Sequence, residues 1–138
     1  MQSVTMSRHV DAPPDAVREA MADVEAFMLG AGFTEATVDG DRLHLENHVG
    51  LATVELDLRL LDTDDAFAYE QADGMFESMT TTYTVEPDDG GSLVTARTEF
   101  ELDLAVVGAV LDATVIERQR RRELRQQFDW LAERVGGE

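Results

Sequence analysis

Apolar side chains recur along this chain with two different periods, and the switch between them divides it into parts. Residues 3–10, SVTMSRHV, alternate loosely and predict an opening strand. Asp11-Ala12-Pro13-Pro14 then interrupts the pattern. Proline is favoured in a first helical turn, where its missing N–H costs nothing, and Asp11 is placed to cap the exposed donors. Ala16, Val17, Ala20 and Met21 follow at helical spacing. A second short helical stretch, Val24 to Leu29, ends at Gly30 and Gly32. From Phe33 the period becomes two, and strands are expected at about 33–38, 42–49, 51–61, 65–72, 76–86 and 92–103. Their separators carry turn chemistry: Asp39-Gly40-Asp41, Gly50, the run 62–65, Asp73-Gly74 and Asp88-Asp89-Gly90-Gly91.

The alternation is cleanest where Ala52, Val54, Leu56, Leu58 and Leu60 oppose Thr53, Glu55, Asp57 and Arg59. It recurs where Val94, Ala96, Thr98, Phe100 and Leu102 oppose Thr95, Arg97, Glu99 and Glu101. One face is wet and the other packed, as in an antiparallel sheet. After Leu104 the pattern turns helical and runs to about Val135, with Gly136-Gly137 as its stop. No repeat, linker or low-complexity tract interrupts the order. Residues 1–138 therefore read as one domain, at a length where a single core is comfortable.

The order of strand, helix pair, six-stranded meander and long terminal helix is the helix-grip order, and local signals agree with it. The stretch Val10-Asp11-Ala12-Pro13-Pro14-Asp15-Ala16-Val17 resembles the strand-to-helix transition common in the START-like (SRPBCC) superfamily, including its polyketide cyclase/dehydrase-like members. Val24-Glu25-Ala26-Phe27 sits where the second short helix of that family begins, and Arg118 to Val135 is similar to its closing helix. The resemblance spans nearly the whole chain. It implies an α+β helix-grip fold in which a curved antiparallel sheet of about seven strands grips the long helix. It also implies a cavity between sheet and helix for lipids, sterols, polyketides or hydrophobic hormones. Catalytic residues vary between branches of the superfamily, no branch-defining motif is present, and none is assigned here.

Charge changes the picture of the surroundings more than of the fold. Twenty-nine acids face 11 bases for a net charge of −18, and every base is arginine. Spread over about 7,000 Å² of folded surface, that is roughly one uncompensated charge per 400 Å². Self-repulsion on this scale opposes compaction in dilute buffer, and molar salt screens it within about 3 Å. A lysine-free chain whose acids are spread along residues 11–103 rather than run together reads as adapted to the salt-loaded cytoplasm of an extreme halophile; an acidic surface for a basic partner is the alternative. The melting temperature should accordingly rise between about 0.1 M and 2 M KCl, as circular dichroism would register. An unchanged value would contradict the screening argument. Nucleic acid and anionic membranes would be repelled, so neither is expected as a partner. Without cysteine there is no disulfide, thiol chemistry or thiolate metal site. No apolar run approaches the roughly 18 residues of a membrane span, and a cytoplasmic location is expected.

Three groups of residues offer chemistry. In His44-Leu45-Glu46-Asn47-His48, alternation puts His44, Glu46 and His48 on one face, plausible zinc ligands by type. Leu43, Leu45 and Val49 occupy the other face, the better core face, so the histidine row points to solvent and no metal or other cofactor is expected. Stoichiometric zinc lost on changing His44 and His48 to alanine would overturn that. His9, a possible general base, reads as a surface or rim residue. On the long helix, 100° steps put Val106, Val110, Ala113, Glu117, Arg120 and Arg121 on the stripe of Leu124, Phe128, Leu131 and Val135. Charges in mid-stripe are costly unless paired or facing a wet cavity. Glu117 with Arg120 or Arg121 is therefore expected either to anchor a ligand's polar end, or to mark a break near 112–116 or snorkelling stems. Residues 105–138 hold six acids and six arginines, against 23 and 5 before them, so Arg118 to Arg122 is a locally basic run. It is expected to pair with the acidic sheet or meet an anionic ligand.

The candidate pocket residues are Glu117, Arg120, Arg121, Leu124, Phe27, Met28, Met75, Phe76, Met79 and Tyr83, with Met21 and Tyr69 nearby; methionine suits irregular pockets. The expected function is binding, possible transport included, of a small hydrophobic or amphipathic molecule or lipid by a monomer or weak homodimer. A polyketide cyclase/dehydratase-like enzyme, using Glu117 with Arg121 or a tyrosine, is one alternative. A protein-interaction module using the same groove, marked by an exposed apolar patch, is another.

Overall fold

Alternating side chains do build one curved sheet. The computed structural model describes residues 2–49, 52–63, 66–74, 76–102 and 113–135. The strands are β1 (Gln2–Val10), β2 (Glu35–Asp39), β3 (Arg42–Val49), β4 (Ala52–Leu60), β5 (Phe67–Asp73), β6 (Phe76–Asp88) and β7 (Gly91–Leu102). Helices α1 (Pro14–Ala22) and α2 (Val24–Leu29) follow β1, and α3 (Ala113–Val135) closes the order. The sheet runs β1-β7-β6-β5-β4-β3-β2 with every pairing antiparallel. Strands β2 to β7 are a meander, and β1 joins its end beside β7. The α1–α2 pair thus carries the chain from one sheet edge to the other. The pairing register shifts at Asp57/Leu58 and at Phe76/Ser78, and shifts of this kind bend and twist a strand locally.

One sequence expectation about helix ends is corrected, and another falls outside the described residues. Asp11 does not cap α1: Pro13 is the N-cap residue and no side chain bonds the free N–H groups there. Proline at the first turn has already removed one of those donors, and the Asp11 carboxylate lies against His9 instead. The described long helix begins at Ala113; Val106 and Val110 lie outside the described residues.

The core lies between the concave sheet face and the three helices. Val4 and Val10 of β1, Leu43 and Leu45 of β3, Leu58 of β4, Tyr83 and Val85 of β6, and Val94, Ala96 and Phe100 of β7 are buried there. From α3 come Ile116, Leu124, Phe128 and Leu131. Phe27 of α2 fixes the centre, its ring 5.7 Å from Phe67, 5.1 Å from Tyr83 and 6.0 Å from Trp130, in the tilted and edge-on geometries that aromatic quadrupoles favour. Gly30 permits that approach: a Cβ there would stand 2.7 Å from Trp130 Cγ. Among the described residues no helix is long and apolar enough to cross a membrane.

Candidate functional site

The inward parity of the strands carries polar residues as well as apolar ones, and these meet on α3. Arg120 is 8% exposed and sits inside. Its Nε donates to Thr98 Oγ1 at 2.9 Å, its Nη1 to Glu123 Oε1 at 3.0 Å, and its Nη2 to the Tyr69 hydroxyl at 2.7 Å. Nη2 also lies 3.4 Å from both Thr81 Oγ1 and the Tyr83 hydroxyl. The Thr81 and Thr98 hydroxyls, opposite each other in the β6–β7 register, bond at 2.8 Å. The other Glu123 oxygen accepts from Asn47 Nδ2 at 3.1 Å and Gln119 Nε2 at 3.3 Å. Tyr83 donates to Gln127 Oε1, whose Nε2 donates to the Phe27 carbonyl at 3.0 Å. Among the described residues no buried side-chain nitrogen or oxygen is left without a partner.

Electrostatics follow from that arrangement. Burial works against the Arg120 charge, but Tyr69, Tyr83 and Glu123 outweigh it and hold its pKa above the ordinary arginine value. The guanidinium therefore stays charged. Burial, with Tyr69 beside it, pushes the Tyr83 phenol well up, so it remains a protonated donor at any physiological pH.

A partly enclosed cavity of about 80 Å³ adjoins this network. Its apolar walls come from Phe33, Leu45, Val54, Leu56, Leu58, Phe76, Met79 and Phe100 on the sheet side, and from Val115 and Ile116 on α3. Asn47, Tyr69, Thr98, Gln119, Arg120 and Glu123 form its polar end. For scale, an apolar cavity of about 150 Å³ accommodates benzene, and a water needs only some 10–15 Å³.

Of the residues singled out from sequence, Arg120, Phe76 and Met79 line the cavity. Phe27, Met28, Tyr83 and Leu124 are buried but do not line it; they pack the core beside it. Met75 lies outside the described residues. Glu117 is half-buried and Arg121 exposed, and neither lines the cavity. The buried face of α3 runs Ile116, Arg120, Glu123, Leu124, Gln127, Phe128 and Leu131, so it is turned toward Glu123 and Gln127. Centring the stripe on apolar residues alone turned it away from Glu123 and Gln127, because three buried positions, those two and Arg120, are polar. Within the basic run Arg120 turns inward to the sheet, whereas Arg118, Arg121 and Arg122 are exposed and make no ion pair among the described residues.

Asn47, Thr98, Gln119, Glu123 and Gln127 were not singled out. A signal existed for two of them. Asn47 shares the parity of Leu43 and Leu45, and Thr98 that of Val94, Ala96 and Phe100. A polar residue at inward parity marks a buried polar site.

The convex face behaves as alternation implied, with one addition from pairing. His44 and Glu46 are half-buried there and His48 is exposed. Cross-strand register adds Glu55 and Asp57 of β4. His44 Nδ1 donates to Asp57 at 2.7 Å, and Nε2 stands 3.6 Å from Glu46 and 3.5 Å from Glu55. His44, Glu46 and Glu55 present atoms within 4.8 Å of one another, a spacing a cation could bridge. At the far sheet edge, His9 lies 3.0 Å from both Asp88 and Asp11.

Hydrogen bonds raise both histidine pKa values: from Asp57 for His44, and from Asp88 then Asp11 for His9. A hydrogen bond with Glu35, the residue opposite it on β2, raises that of Glu46. A raised histidine lends stability that is complete below its unfolded value, about 6.5, and is lost as pH climbs through the folded value. A raised carboxyl loses stability in the same direction, above its unfolded value of about 4.3. The melting temperature should therefore fall as pH rises from about 4.3 through 6.5 and above, and His9→Gln/His44→Gln should flatten that slope. A slope unchanged in the double variant would assign the pH dependence elsewhere.

Comparison with known proteins agrees with this architecture. Residues 1–136 match the family described as polyketide cyclase / dehydrase and lipid transport. Among solved structures, a Thermus thermophilus protein superposes with a TM-score of 0.80 at 18% identity, covering 97% of each chain. A START superfamily protein from Mycobacterium smegmatis gives 0.77 at 12% identity over 96% of each. The Zhui aromatase/cyclase of a Streptomyces species gives 0.71 at 18% identity, over 96% of this chain and 94% of its own. At these identities the likeness is one of fold. No curated protein matches the sequence.

Proposed function

The chain belongs to the polyketide cyclase / dehydrase and lipid transport family, and from that premise we propose that it binds a small, largely apolar molecule in the cavity between sheet and α3. One observation carries this reading: the cavity has walls of Leu, Val, Phe and Met side chains and a single polar end at Arg120 and Glu123. A concave apolar site with a few convergent polar groups is the usual form of a small-molecule site. At about 80 Å³, roughly half the volume that accommodates benzene, the cavity holds a small apolar group, and a larger ligand would extend through the open side.

Native mass spectrometry of freshly purified protein tests the reading, with an excess mass from a co-purifying small molecule as the expected result. An environment-sensitive apolar dye should also bind at a defined stoichiometry. Absence of both signals in folded protein would defeat it. Cyclase-like chemistry is the second reading, favoured by Tyr69, Arg120 and Glu123 reaching the cavity together. The interaction-module reading has less support, since Leu29 is the large hydrophobic residue exposed among those described, where an apolar patch was required.

A further inference from the structure

The polar end of the cavity carries a positive and a negative group, and their balance bears on what can enter. Arg120 and Glu123 are each 8% exposed and stand one helical turn apart in direct contact. The guanidinium offers five N–H groups. Nε uses its one on Thr98, Nη2 directs its two at Tyr69, Thr81 and Tyr83, and Nη1 spends one on Glu123. A single Nη1 N–H has no protein acceptor among the described residues. Both Glu123 oxygens already accept hydrogen bonds, from Arg120 on one side and from Asn47 and Gln119 on the other.

An anion entering here would meet a cation already neutralised at contact distance and a carboxylate of its own sign; the donors left to it are the second Nη1 N–H and the second amide N–H groups of Asn47 and Gln119. It would lose its hydration with no net positive charge to replace it, the costly case for a buried charge. A neutral carbonyl or hydroxyl asks for one donor and carries no charge to desolvate. Resting on the cavity-binding reading above, we infer that the ligand is uncharged and presents a carbonyl or hydroxyl oxygen to this end of the cavity. Glu123 is the residue that sets this preference, by cancelling Arg120. This ligand differs from the anionic one that, beside pairing with the acidic sheet, the arginine run leads us to expect.

Fluorine NMR titration with 4-fluorobenzamide and 4-fluorobenzoate tests this, since the two share a shape and differ in charge. The wild-type protein in about 2 M KCl, where the field of the whole surface is screened, should bind the amide about tenfold tighter or more. Glu123→Gln should shrink that ratio several-fold by leaving Arg120 uncompensated. Glu133→Gln, which removes the same charge from an exposed position of α3, should leave the ratio unchanged. Equal affinities in the wild-type protein, or tighter benzoate binding, would overturn the inference while leaving the cavity reading intact. No binding of either ring would defeat both. If Glu123→Gln fails to fold, the wild-type ratio at high salt decides the matter alone.

Discussion

Arg120→Leu is expected to destabilise the protein by about 3–5 kcal/mol, the usual cost of breaking a buried ion pair by removing one partner. At this chain length that corresponds to a fall in melting temperature of roughly 10–20 °C. The loss comes less from the missing attraction than from what stays behind. Glu123 would keep its charge in the interior with only Asn47 and Gln119 to solvate it, and Thr98 and Tyr69 would each lose a donor. Arg120→Leu/Glu123→Leu removes both charges and should recover most of the difference, because a buried pair is often no more stabilising than apolar side chains of similar volume. Thermal melts of wild type, both single variants and the double variant form the cycle that measures this. A single variant as stable as the wild type would mean that water reaches Glu123 freely.

Phe128→Ala should cost a similar 3–5 kcal/mol by a different route. The ring is 1% exposed, lies on the buried face of α3 with Leu124 and Leu131, and is outside the cavity lining. Its truncation opens a new void in close-packed surroundings, and the loss combines transfer free energy with that of the void. Urea denaturation should show a lower midpoint with an unchanged m-value. Ligand binding by the remaining folded protein should change little, which separates this core position from the cavity wall. A cost below about 1 kcal/mol would mean that the core relaxes to fill the space.

The strands were legible because alternation is a local property. Leu43 and Leu45 face inward while His44 and Glu46 face outward simply because successive strand residues point to opposite sides. Turn chemistry supplied the boundaries, as at Asp88-Asp89-Gly90-Gly91, where Asp89 and Gly90 adopt the positive φ that favours such residues. Proline at α1 and the glycines after α2 marked the helix pair in the same local way. The site followed another logic. Glu123 and Gln127 broke the apolar stripe of α3 and so drew it around Glu117 and Arg121, although both polar residues are inside.

What the sequence by itself determined is the order of elements, the faces of the strands and the excess of negative charge. Strand parity also marked Asn47 and Thr98 as inward, but which polar residues of α3 are buried was decided only by tertiary structure. Arg120 is stable inside because Thr98, Tyr69 and Tyr83, up to 51 residues away along the chain, converge on it while Glu123 lies one turn along its own helix. Periodicity reports how often a side chain meets a face, whereas the cost of burying a charge depends on which partners the folded chain brings to it.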